Sequence, residues 1–410
     1  MTLKLFEAFG IELEYMLVAP GSLDVRPMAD SLLTLINGGA ATSDVDSGVT
    51  SWSNELALHV LELKATEPTS DLIGLAANFQ RAIADVQSHL SRCQLQFLPT
   101  AMHPLMCPKR SVVLWPHECY EIYNTFDQRF DCHTHGWGNV QSVHLNLPFS
   151  GDAEFAKLHA AIRLLLPILP ALAASSPIVE GKATGSADSR LHHYVRHCRD
   201  MDCLVGQVIP DSVDCESEYD RVIYQPIRDA IERQGWTGTM RAEFMNARGA
   251  IARFDRGSIE IRVMDVQEQP ASDVAICAAV IAILKSLVAE QWRSYEDQFN
   301  ISTATLRQIF DQVVVCGGEA IIDSEAVLAC FGIEETSMKA SDLWRHLLHH
   351  ARQMDATVDQ LYQPLEVITR QGNLSNRIMT SLQGDISEDA ILQTYAQLAN
   401  CLASGKSFQP

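Results

Sequence analysis

Four short stretches of this chain carry acids, a histidine and an arginine at spacings that suit metal and phosphate chemistry. The first is Gly10–Val18, G-I-E-L-E-Y-M-L-V. Its period is two, so Glu12 and Glu14 share one face of a strand while Ile11, Leu13, Tyr15 and Leu17 share the other. Two carboxylates at this spacing repel each other and resist desolvation. A divalent cation bound through hard oxygens relieves both costs. An amphipathic strand with a solvated acidic face has the same pattern, and for this stretch alone that plainer reading fits better. In residues 54–66, N-E-L-A-L-H-V-L-E-L-K-A-T, Glu55 and Glu62 are separated so that one regular strand puts them on opposite faces. A bend or bulge is needed to bring them together.

The third stretch, residues 141–148, Q-S-V-H-L-N-L-P, alternates again and sets Ser142, His144 and Asn146 on one face. A single strand histidine is most often a partial-core residue; its two polar neighbours raise His144 as a ligand. The fourth, Ser258–Asp265, S-I-E-I-R-V-M-D, puts Glu260 beside Arg262. This is either a structural ion pair or a metal ligand next to a cation that holds phosphate. Arg190, Arg248, Arg253 and Arg256 read as solvated charges or, in so acidic a chain, as anchors for a nucleotide's phosphates.

The elements that must position these residues follow from the remaining pattern. Helices are expected over Ala29–Ile36, over residues 71–97 opening at Asp71, over Tyr120–Phe130, over 153–174 with breaks at Pro167 and Pro170, over 218–234 and over 272–293. Residues 38–52 read as a loop or hairpin, 100–108 as a loop carrying His103, 175–190 as a loop carrying Arg190, and 241–246 and 257–265 as strands. From about residue 296 the pattern is helical. Strands and helices mix without strict alternation, which predicts an α+β fold with an antiparallel sheet. The expected organisation is a catalytic unit over residues 1–295 and a helical C-terminal segment over 296–410 packed on it.

Composition bounds the function. The chain has 410 residues, 47% hydrophobic and 20% charged, with a formal net charge of −20. That charge argues against a nucleic-acid partner, because phosphate backbones need clustered Lys and Arg. No apolar run is expected to be long enough to cross a bilayer, and the N-terminus shows no signal-peptide pattern. Eleven cysteines lie scattered without a CxxC pair. This predicts reduced thiols in cytoplasm and disfavours zinc. Small-molecule substrates are the expected partners, and a homo-oligomer is compatible with the sequence.

Taken in order, G-I-E-L-E (10–14), the Glu55–Glu62 pair, M-H-P (102–104), A-L-A-A-S-S-P with G-x3-G-x4-R (171–190) and G-S-I-E-I-R-V-M-D (257–265) resemble glutamate–cysteine ligase family 2. These are carboxylate–amine ligases with a glutamine-synthetase-like fold, and the resemblance runs from about residue 8 to about 290. It implies an active site on one face of a curved antiparallel sheet, using ATP and Mg²⁺ or Mn²⁺. By position it implies Glu12, Glu14, Glu55, Glu62, His144 and Glu260 as metal ligands, and Arg262 with Glu260 as the catalytic pair. Arg262, Arg190 and Arg248 would contact phosphate, and Ser142, Asn146 and Arg190 the substrate, with glutamate as the acid. Many relatives have H-x-H-x-G where this chain has Ser142-Val143-His144-Leu145-Asn146. The V-H-x-N pattern resembles the bacterial glutamate–cysteine ligases instead, so a different substrate preference is expected. A metal-dependent hydrolase and a silent binding protein on the same fold are the rival readings.

Overall fold

The computed structural model describes residues 3–198 and 200–410. The alternating segments pair into one antiparallel sheet. Its strands are β1 (Gly10–Val18), β2 (Asp44–Asp46), β3 (Thr50–Asn54), β4 (Val60–Ala65), β5 (Gln96–Leu98) and β6 (Ser142–Pro148), with β7 (Ile178–Val179) and β8 (Lys182–Ala183) forming a separate hairpin, and then β9 (Ala250–Arg253) and β10 (Ser258–Asp265). The order is β2-β3-β4-β1-β6-β10-β9, with β5 paired to the end of β1. Chain order and sheet order differ, so residues far apart in sequence come to lie on neighbouring strands.

Register does the rest. Glu12 stands opposite Lys64 on β4 and His144 on β6, Glu14 opposite Glu62, and Glu260 opposite Asn146. The other face is apolar: Ile11, Leu13, Leu61, Leu63, Val143, Leu145, Leu147, Ile259 and Ile261 are all buried. It packs into one core with helices Leu72–Arg92, Gly151–Leu165 and Pro270–Val288. Each such side chain contributes about 1.5–3 kcal/mol on leaving water, and a one-residue slip of any strand would exchange this face for the acidic one.

A bulge in β10 has a further consequence. Ile261 pairs with Leu145, but the next paired residue, Val143, faces Met264, so β10 carries one extra residue here. Strict alternation from Glu260 would turn Asp265 into the apolar core. The extra residue resets the phase, and Asp265 pairs with Ser142 on the polar face.

Several sequence expectations are corrected. Residues 241–246 do not form a strand; Ala242–Met245 is a short helix, and the strand is Ala250–Arg253. Ala, Glu and Met are good helix formers, and Gly249 allows the close approach that starts β9, since a Cβ there would meet Val263 Cγ1 at 2.7 Å. The helix from Asp71 stops at Arg92, and β5 follows. Asp71 does cap it, accepting from the Gly74 amide at 2.8 Å. Arg190 lies in the helix Ser189–Tyr194, capped by Asp188, and not in a loop. Two helices are apolar enough to cross a membrane by length and composition, Gly151–Ala173 and Pro270–Val288. Of the 18 most apolar consecutive residues in each, 89% and 83% are buried inside the protein, which makes them core helices here.

Residues beyond 296 join the same interior. Leu306, Phe310, Trp344, Leu347 and Leu365 belong to the principal core. Helices Leu374–Leu382 and Glu388–Ser404 form a second cluster with Met16 and Val18, which continue the polar face of β1 beyond its two acids. The same face of one strand is therefore a ligand wall at one end and a helix-covered core at the other.

Candidate active site

Four adjacent strands deliver the acids. β4 carries Glu62, β1 carries Glu12 and Glu14, β6 carries His144 and β10 carries Glu260 and Arg262; all line one cleft of about 610 Å³. Glu55 joins them from the connection between β3 and β4, so the convergence that a single strand forbids comes from Glu55 lying off the strand. Glu12, Glu62 and His144 offer ligand atoms all within 4.8 Å of one another.

The polar neighbours hold these groups in place. Ser142 donates to Glu14 Oε2 twice, from its amide at 2.7 Å and its hydroxyl at 3.0 Å. Asn146 Nδ2 donates to Glu12 Oε1 at 2.9 Å, and His144 Nδ1 lies 3.1 Å from Glu12 Oε2. Ser53 donates to Glu62 at 2.8 Å, and Lys64 reaches Ser53, Glu62 and Asp44. Arg262 gives Nε and Nη2 to Glu260 Oε1 at 3.0 and 2.7 Å. Ser142 and Asn146, expected at the substrate, are thus occupied with Glu14 and Glu12, and Asn146 does not line the cleft.

Arg190 is buried, with Nε on Asp265 Oδ1 at 2.5 Å and Nη1 on the Arg262 carbonyl at 3.3 Å. Its Nη2 has no partner among the described residues. Asp265 is in turn fixed by the Ser175 amide and the Ser176 hydroxyl. Arg248 is a correction. Its guanidinium is committed to Asp211, the Cys203 carbonyl and Asn246, and it does not line the cleft. His103 of the M-H-P motif is buried and structural: its ring bonds the Leu23 carbonyl at 2.6 Å and accepts the Leu105 and Met106 amides.

The electrostatics divide the acids. Burial alone would raise Glu12, but the His144 hydrogen bond and charge outweigh it and bring the carboxyl down to about 2. Burial, then the Glu12 charge, pushes Glu62 up to about 7. Burial, then Glu14 and Glu62, holds Glu55 well above the carboxylate range. Burial opposes charge on Glu260 as well, yet Arg262 and His144 keep it below its ordinary value. His144 rises to about 9 against burial, because Glu12 and Glu14 favour its protonated form. Carboxylates packed with too few donors, beside an imidazole, match the donor set of a hard divalent cation.

Such binding must strip protons from Glu62 and His144. Cation affinity is therefore expected to rise with pH between about 6 and 9, by up to roughly tenfold per unit for each proton released. Titration calorimetry with Mg²⁺ at pH 7.5 should show an enthalpy that varies with the buffer's ionisation enthalpy. A buffer-independent enthalpy would contradict this ligand set.

The profile of glutamate–cysteine ligase family 2 matches residues 8–396. The chain belongs to this family. It is a ligase of the carboxylate–amine class, and the match reaches well past the region of the motifs into the C-terminal helices. A protein of Archaeoglobus fulgidus is 31% identical over 376 residues, covering 92% of this chain and 93% of its own length. Among solved structures, the chain is similar to the glutamate–cysteine ligase of Francisella tularensis in complex with AMP, with TM-score 0.62 and 13% identity, over 98% of this chain and 90% of that one. It is also similar to a bifunctional glutathione synthetase from Pasteurella multocida, with TM-score 0.61 and 12% identity, over 97% of this chain and 52% of that one. At these identities the likeness is one of fold: the glutamine-synthetase-like α+β arrangement predicted above.

Sequence reasoning missed Lys64, Asp265 and the aromatic residues Tyr123, Phe126, Trp137, Tyr194 and His197 that wall the cleft. Lys64 was legible, two residues from Glu62 on the same strand face. The aromatic residues have no shared period, since three separate segments supply them.

Proposed function

We propose that this protein is an ATP- and Mg²⁺-dependent carboxylate–amine ligase, with Mn²⁺ as an alternative ion, that activates glutamate as an acyl phosphate and joins it to an amine. The observation that carries this reading is the convergence of Glu12, Glu14, Glu55, Glu62, His144 and Glu260 beside Arg262 and Arg190 in one cleft. A carboxylate does not condense with an amine at neutral pH, because oxide is too poor a leaving group. Transfer of the terminal phosphoryl group of ATP to a carboxylate oxygen gives an acyl phosphate and ADP. The amine nitrogen then bonds the acyl carbon, the carbon–oxygen bond to phosphate breaks, and the nitrogen sheds a proton.

Phosphoryl transfer asks a protein chiefly for alignment and charge neutralisation. Glu12, Glu62 and His144 would hold Mg²⁺, with Glu14, Glu55 and Glu260 beside them; the bound ion would neutralise charge between this wall and the phosphate oxygens. Ser142 and Asn146 fix the Glu14 and Glu12 carboxylates through the bonds described above. Arg262, held by Glu260, neutralises charge that grows on the transferred group. Arg190, fixed by Asp265, lines the cleft and would add positive charge there toward a carboxylate or phosphate.

The test is trapping with hydroxylamine. ATP, Mg²⁺, glutamate and hydroxylamine should yield a hydroxamate and ADP in equal amounts, and a chelator should abolish both. ADP release that needs no acid, or no hydroxamate from any acid in a panel, would sink the reading. In the same assay Arg262→Lys should lower kcat by roughly a hundredfold, because a point charge does not replace a planar fork, while KM for ATP changes less. The reverse pattern would make Arg262 a ground-state anchor.

A further inference from the structure

Two helices of the C-terminal segment end on residues 174–188, the stretch that leads into the helix carrying Arg190. A helix leaves its first four amides and last four carbonyls without partners of its own. The helix Thr303–Cys316 stops at Gly317, where φ is +54°, and its late carbonyls accept from this stretch. The Val315 carbonyl takes the Ala187 amide at 2.9 Å, and the Val314 carbonyl takes the Asp188 amide at 3.0 Å. The Ser186 hydroxyl also donates to the Val314 carbonyl, at 2.9 Å. The approach is close: a Cβ on Gly317 would stand 3.1 Å from both the Ala187 Cβ and Asn373 Nδ2.

The helix Leu374–Leu382 meets the same stretch with its N-terminal end. Asn373 caps it, accepting the Asn376 amide at 3.0 Å, and Asn373 Nδ2 lies 3.3 Å from the Ala171 carbonyl. Ser375 turns both of its donors outward from its own helix. Its amide donates to the Ala174 carbonyl at 3.0 Å, and its hydroxyl donates to the Ala187 carbonyl. One buried residue thus ties the two ends of the stretch together.

What those ends hold is in the cleft. At the first, Ser175 and Ser176 fix Asp265, and the Ser176 hydroxyl oxygen accepts the Arg190 amide at 3.1 Å. At the second, Asp188 caps the helix Ser189–Tyr194. The Ser189 amide meets the Ser176 carbonyl at 3.1 Å from inside, and Ser375 closes the same gap from outside. The place of the Arg190–Asp265 pair therefore depends on both ends keeping their spacing.

We infer that Ser375 is a positioning residue for the ligase reaction: by holding Ala174 and Ala187 it sets where Arg190 stands in the cleft. This rests on the ligase reading above, which gives Arg190 a charge role toward a carboxylate or phosphate. It makes the C-terminal helices part of the catalytic unit. Loss of the Ser375 hydroxyl frees one end of the stretch, and a guanidinium displaced by about 1 Å loses its alignment with the reacting group.

The experiment measures hydroxamate formation by the full chain at varied acid and ATP, for Ser375→Ala, Arg190→Lys and the two together. Ser375→Ala should lower kcat/KM by about tenfold, and Arg190→Lys by at least as much. On top of Arg190→Lys, Ser375→Ala should cost no more than about threefold, because both act through one group. The KM that rises should be the one that Arg190→Lys raises. A smaller folded fraction would instead lower kcat and leave every KM as it was. Ser186→Ala, at a half-buried point of the same clamp, should repeat the pattern at smaller size, and it decides the matter if Ser375→Ala does not fold. An undiminished loss on top of Arg190→Lys, unchanged kinetics in folded Ser375→Ala, or a fall in kcat alone overturns the inference and leaves the ligase reading standing. Absence of hydroxamate from the parent with any acid overturns both.

Discussion

Glu12→Gln is expected to lower turnover on the order of 10³-fold, about 4 kcal/mol in the barrier, while the fold stays intact. Glu12 is where the site's interactions meet: it bonds His144 and Asn146, and it belongs to the tight group with Glu62. The His144 hydrogen bond and charge also keep it ionised against burial. The amide keeps the volume and one acceptor but removes the charge on which both the cation and His144 depend. Hydroxamate formation measures the loss, and an unchanged thermal midpoint shows that the sheet survives. Turnover within tenfold of the parent would show that the chemistry does not run through this wall.

Arg377→Ala is expected to destabilise the protein by about 3–5 kcal/mol. Arg377 and Glu268 are both buried, and the guanidinium is bidentate on the carboxylate at 2.8 and 3.2 Å. Arg377 Nη1 also donates to the Phe408 carbonyl at 2.7 Å, and the Phe408 amide donates back to Glu268 at 3.2 Å. This knot ties the helix Leu374–Leu382 and the end of the chain to the segment that follows β10. Removing the cation leaves a buried carboxylate unpaired, which is why the single change is worse than losing the pair. The double variant Arg377→Met with Glu268→Leu should recover much of the stability. Chemical unfolding at constant slope measures both, and a single variant within 1 kcal/mol of the parent, roughly one central mutational effect, would contradict the account.

The alternation of Gly10–Val18, β6 and β10 by itself determined that acids and a histidine would share one face and aliphatic residues the other. A pleated strand turns every second side chain the same way, and water sorts the two sets. The ordered motifs determined the family. Which acids meet was decided elsewhere. Glu62 reaches Glu12 and Glu14 because β4 and β6 flank β1, and Glu55 reaches them because it lies off the strand. Arg248, equally suggestive in sequence, was drawn away by Asp211, a partner that no local pattern reveals. Asp265 came to the polar face only through a bulge, because one extra residue reverses the phase of everything after it. The aromatic wall had no sequence signature at all, since its rings come from segments whose meeting is set by long-range packing. Local sequence determines the direction of a side chain relative to its own backbone; which side chains face each other across a cleft depends on strand order and register, which are settled only when the whole core closes.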